Sequence, residues 1–87
     1  MRLQIPINGC LGPKSVKVIE IDLSMMCPAK GEHIIFEFED DNYDVVVQNI
    51  HHLLPSGQIL AIANPIFNVD VNGVIERFKA HYDVHED

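Results

Sequence analysis

Eighty-seven residues, with 13 acidic and 6 basic side chains and a formal charge of −7, fit one domain of the smaller kind. The charge argues against nucleic acid, which needs clustered Lys and Arg to replace counterions, and against an anionic membrane surface. An apolar fraction of 47% without Trp argues against disorder and for an aliphatic core of Val, Ile and Leu.

A chain this short buries only roughly 60–65% of its unfolded surface. Covering a sheet face or edge with a second copy would add stability, so a homo-oligomer stays open. Cys10 and Cys27 are not spaced as a motif. The first residues alternate instead of forming an apolar run, and no stretch reaches the roughly 18–20 apolar residues of a membrane span. The expectation is a cytoplasmic chain with both cysteines as small core hydrophobes.

Leu3, Ile5 and Ile7 alternate with Arg2, Gln4 and Pro6, the period of a half-buried strand. Pro6 cannot donate to a ladder, which predicts a sheet edge there. Asn8 to Pro13 is a turn. Ser15–Leu23 reads as a second strand whose apolar side changes near Val18–Ile19, suggesting a bulge or burial on both sides. Ser24–Gly31 is a connector whose Met25, Met26 and Cys27 are expected to fold back over the core.

His33 to Ile50 carries the strongest pattern. Ile34, Phe36 and Phe38 share one face, Asp40-Asp41-Asn42 is a polar turn, and Tyr43, Val45 and Val47 resume the alternation. This is a β-hairpin. His51–Leu54 leads into a second turn at Pro55-Ser56-Gly57. Gln58–Ala63 is apolar on both sides, as a central or interface strand is, and Asn64-Pro65 ends it. Val71, Ile75, Phe78 and Tyr82, with Val74 beside them, form a helical stripe. Asp70 is placed to cap that helix with its carboxylate, and Asn72, Glu76, Arg77 and Lys79 are expected to face away. A hairpin turn at Asn72-Gly73 competes, but Glu76–Ala80 favours helix. The tail from Asp83 is expected to fray.

The fold class is therefore mainly β (α+β), a single domain over residues 1–87. It is expected to have five short antiparallel strands in a strongly bent sheet or partly open barrel and one C-terminal helix. Lys30-Gly31-Glu32-His33-Ile34, then Tyr43-Asp44-Val45-Val46-Val47, then Gly57 before another strand, resembles the middle of SH3-like small barrels. That resemblance implies a partly open barrel and no particular activity.

No catalytic signature is present: Ser15, Ser24 and Ser56 lie in no nucleophile elbow, and no Gly-rich loop cradles phosphate. His51 and His52 point to opposite faces if they lie in a strand. His81 and His85 would share a helical face as half of a zinc site, but no further ligands are placed beside them. Asp70-Val71-Asn72-Gly73 lacks the oxygen ligands of a calcium loop. Neither a metal nor a cofactor is expected. Five carboxylates, Glu37, Glu39, Asp40, Asp41 and Asp44, with Tyr43 among them, crowd one hairpin tip.

The resulting expectation is a non-enzymatic acidic protein. It would cover a basic protein partner in the manner of small inhibitors, immunity proteins or phage counter-defence proteins, with the tip steering association. The alternative is a homo-oligomer that sequesters a small, nucleotide-like ligand between subunits through Asn49, His51, His52 and Arg77.

Overall fold

The computed structural model describes residues 1–9, 16–23 and 28–86. The expectations for Cys10, Cys27 and the Met25–Met26 part of the connector fall outside them, as does the Asn8–Pro13 turn except for Asn8 and Gly9, which belong to the first strand instead. In chain order the elements are β1 (Arg2–Gly9), β2 (Val16–Asp22), β3 (His33–Glu37), β4 (Asn42–Leu53), β5 (Gln58–Ala63), β6 (Ile66–Val69), α1 (Val71–His81) and β7 (Val84–Glu86).

The strands form one sheet of seven, ordered β3-β4-β5-β1-β2-β7, with β6 paired to β1. This corrects the five-stranded expectation in number and in closure. The sheet is open, with β3 and β7 as its edges, so it is not the barrel that the SH3-like resemblance implied. Nor is it wholly antiparallel, because β1 runs parallel to both β5 and β6. The two short strands that escaped the sequence pattern have too few residues to display a period. β7 is the tail expected to fray, held by pairing with β2 from Ile19 to Ile21.

β1 is central rather than an edge. It pairs with β2 along its length, with β5 through Arg2–Gln4, and with β6 at Ile7 and Gly9. Pro6 falls between the last two stretches, where no ladder on that side requires its missing N–H. The β1–β2 register runs unbroken from Arg2↔Asp22 to Asn8↔Val16, so β2 carries no bulge. Its apolar residues instead divide between two faces, with Ile19 and Ile21 buried, Val18 half-buried opposite them, and Val16 exposed.

The long hairpin holds as expected. Ile34 and Phe36 of β3 and Tyr43, Val45 and Val47 of β4 are buried, and the Phe38 N–H donates to the Asp41 carbonyl at 2.9 Å to close the tip. A register irregularity between Val47 and Asn49 bends β4. Asn64 sits beside it, giving its N–H to the Val46 carbonyl and accepting the Val46 N–H on Oδ1.

α1 forms over the stripe seen in the sequence, burying Val71, Val74, Ile75 and Phe78 against one sheet face. Phe78 is fully buried among Phe36, Phe38, Tyr43 and Tyr82, with ring centroids 4.9–6.2 Å away and the closest pair edge to face. Asp70 is the N-cap by position, but its carboxylate makes no capping hydrogen bond. It lies instead against Gly73, with Oδ2 2.9 Å from where a Cβ would stand. The helix ends as Tyr82 turns extended and gives its N–H to the Phe78 carbonyl at 2.8 Å.

The second sheet face carries no helix or strand among the described residues. Pro6, Val18, Val46, Leu60 and Ile62 lie on it half-buried, and Ile35 lies on it 58% exposed.

Candidate functional site

The hairpin places the acidic tip at one end of the sheet, beside the middle of α1. Glu37 closes β3, Glu39 and Asp40 occupy the loop, and all three are exposed. None has a Lys, Arg or His within salt-bridge distance among the described residues. The remaining two carboxylates are engaged. Asp44 lies 3.1 Å from His33 Nδ1 across the hairpin, and Asp41 lies 2.8 Å from Arg77 Nη1.

Two sequence expectations change here. Tyr43 belongs to the core and shows only its hydroxyl to the tip. Arg77 does not face away from the fold. It turns back across the gap and donates from Nη1 to the Tyr43 hydroxyl at 2.6 Å while holding Asp41. That hydrogen bond and the electrostatic interaction with Tyr43, then the charges of Asp41 and Asp40, raise its already high pKa. Arg77 is thereby a fixed cation, a crosspiece between α1 and β4.

A shallow cleft lies on each side of Arg77. One, of about 380 Å³, is lined by Asp41, Tyr43, Asn68, Asp70, Gly73 and Arg77 among others. Asn68 reaches it from a left-handed backbone (φ 58°), a conformation asparagine tolerates better than most residues. The other, of about 280 Å³, is lined by Phe38, Glu39, Asp40, Arg77, Ala80 and His81. Its floor is the aromatic stack of His81 on Phe38, with ring centroids 5.1 Å apart and planes 23° from parallel. Sequence reasoning missed Phe38 and His81 as site residues, because residues 43 positions apart meet only through the fold.

The ligand set of the alternative expectation is not brought together. Asn49 and His51 lie on the sheet face opposite α1, paired across from Ile62 and Leu60, while His52 pairs with Ile59 and points to the other side. Arg77 reaches Tyr43, eight residues up β4 from His51 and so roughly 26 Å away along the strand.

His81 and His85 do not share a helical face, since α1 ends at His81 and His85 lies in β7. His85 instead approaches Asp22 and Asp83, at 3.8 and 3.9 Å. All three are exposed, and Asp22 also lies 3.6 Å from Arg2 Nε. No helix among the described residues is long and apolar enough to cross a membrane.

No family model, curated protein or solved structure matches the chain.

Proposed function

We propose that this chain is a non-enzymatic binding protein that covers a basic protein surface through the tip of the β3–β4 hairpin, as inhibitor, immunity or counter-defence proteins do. The supporting observation is the arrangement around the smaller cleft. Glu39 and Asp40 stand at its rim with no salt-bridge partner among the described residues, beside an aromatic floor of Phe38 and His81. A partner's Lys or Arg lays its aliphatic stem on such a floor and its charge against such a rim. Arg77, bound to Asp41 and Tyr43, keeps the tip's shape and forms its ion pair with Asp41, not with Glu37, Glu39 or Asp40, although Asp40 also feels its charge.

Affinity capture from the source cell tests the reading, with Glu39→Lys/Asp40→Lys as the altered bait and Glu32→Lys/Glu76→Lys as a control of equal charge change. A stoichiometric basic protein retained by the unaltered chain and the control, released by salt and lost from the altered bait, supports it. A partner held equally by all three baits, or one that is itself acidic, overturns it.

A further inference from the structure

The register of β7 on β2 gathers three metal-type donors at one end of that ladder. Pairing runs Ile19↔Glu86, Glu20↔His85 and Ile21↔Val84, so one step further Asp22 comes opposite Asp83. Residues two apart on a strand share a face, which sets His85 on the same side as Asp83 and Asp22. His85 Nε2 lies 3.8 Å from Asp22 Oδ2 and 3.9 Å from Asp83 Oδ2. The three donor atoms fall within 4.8 Å of one another, the one such group of three His, Cys, Asp or Glu donors among the described residues. Where the sequence spacing pairs His85 with His81, the fold supplies it with two carboxylates instead.

From this arrangement we propose that Asp22, Asp83 and His85 form a surface zinc site that staples β7 to β2. Two carboxylates opposed across a ladder repel each other and weaken the pairing, so this end of the sheet gains from a cation placed between them. The groups already there do not fill that place. His85 stands farther from both carboxylates than the roughly 2.7–3.2 Å of an N–H···O hydrogen bond. Arg2 approaches Asp22 through its other oxygen, Oδ1, at 3.6 Å, and Glu20 at 3.7 Å, which leaves Oδ2 turned toward His85. With His85 neutral, the carboxylates of Asp22, Asp83 and Glu20 exceed the single guanidinium by two negative charges, the charge of one divalent cation.

The distances suit the ion. Tetrahedral ligands at about 2.1 Å from zinc stand roughly 3.4 Å apart, so the donors close by roughly half an ångström on binding. Their side chains are 45%, 77% and 53% exposed for Asp22, Asp83 and His85 and turn inward without disturbing the core. Water completes the coordination. The donor set selects the metal, because imidazole suits zinc whereas calcium and magnesium take oxygen ligands. The strand that gains is β7, three residues long and paired only with β2. Its further tie is the exposed Lys79–Glu86 pair, so a metal bridge to β2 is a substantial addition to what holds it.

Titration of the tag-free chain with zinc chloride, followed through the imidazole NMR signals of each histidine, tests the proposal. The His85 signals, assigned by their loss in His85→Ala, are expected to shift with a dissociation constant below about 100 μM. Asp22→Asn and Asp83→Asn are each expected to raise that constant at least about tenfold, and His52→Ala, on the other sheet face, to leave it unchanged. Zinc is also expected to raise the thermal midpoint of the unaltered chain and of His52→Ala but not of His85→Ala, as binding to the folded state alone requires. Calcium chloride at the same concentrations is expected to shift nothing at His85. His85 signals unmoved at about 100 μM free zinc overturn the proposal, including where the thiolates of Cys10 or Cys27 take up the metal instead. So does a His85 response that is the same in Asp22→Asn and Asp83→Asn as in the unaltered chain.

Discussion

The Arg77 Nη1 atom lies 2.6 Å from the Tyr43 hydroxyl and 2.8 Å from an Asp41 carboxylate oxygen. One guanidinium on α1 thus holds the hairpin at two points, Asp41 in its loop and Tyr43 at the start of β4. It ties the helix to the hairpin whose tip carries the free acids.

Arg77→Met is expected to act in two directions. Loss of the crosspiece lowers the thermal midpoint by a few degrees. Release of Asp41 adds another uncompensated carboxylate to the tip and speeds association with a basic partner at low salt. Tyr43→Phe removes the hydroxyl and leaves the ion pair, so it lowers the midpoint without changing the association rate. Thermal unfolding with stopped-flow association separates the two variants.

Phe78 is the aromatic centre of the core, fully buried and touched by four rings. Phe78→Ala is expected to cost about 3–5 kcal/mol, a large share of the total for a domain stabilised by roughly 0.05–0.15 kcal/mol per residue. Phe78→Leu, which keeps most of the volume, costs about 1–2 kcal/mol. Urea unfolding should show the midpoint falling in that order.

Two glycines give opposite signs on replacement by Ala. Gly57, in the turn between β4 and β5, has φ +76°. A Cβ there meets no atom but forces an L residue into the left-handed region, costing about 1 kcal/mol. Gly73 is helical, and the nearest atoms to its new Cβ are those of the Asp70 side chain. Asp70 is exposed and its carboxylate makes no capping bond, so it rotates aside at little cost. The gain in helix propensity then stabilises by roughly 0.5–1 kcal/mol. Equal losses at both positions in chemical denaturation would contradict this account.

Lys79 Nζ donates to Glu86 Oε2 at 3.0 Å, tying α1 to β7. That hydrogen bond and the adjacent charge of Glu86 raise the Lys79 pKa above its ordinary value. A lysine raised in the folded state contributes stability that is fully present below its unfolded pKa, about 10.4, and is lost as pH rises through the folded value. The stability difference between the unaltered chain and Lys79→Met is therefore expected to be constant from pH 7 to about 10 and to shrink beyond it. The pair is exposed, so the difference is small. Urea midpoints across that range measure it.

The alternation of Ile34, Phe36, Tyr43, Val45 and Val47, and the four-residue spacing of Val71, Ile75 and Phe78, were legible in the chain because each period reports one buried face of one element. The acidic tip was legible because its charges are neighbours in sequence. By the same logic, β6 and β7 were not, since four and three residues hold no period, and their pairing is decided by what lies beside them.

What the sequence determined by itself is local: which stretches are pleated, which is coiled, and which side of each is apolar. Only the tertiary structure decided that β1 is central, that the sheet stays open, and that Arg77, Phe38 and His81 converge on the tip while His51 and His52 part from it. The physical reason is that side-chain periodicity is set by backbone geometry within an element. The order of strands and the meeting of distant residues depend instead on which apolar faces bury one another at the least entropic cost, a property of the whole chain.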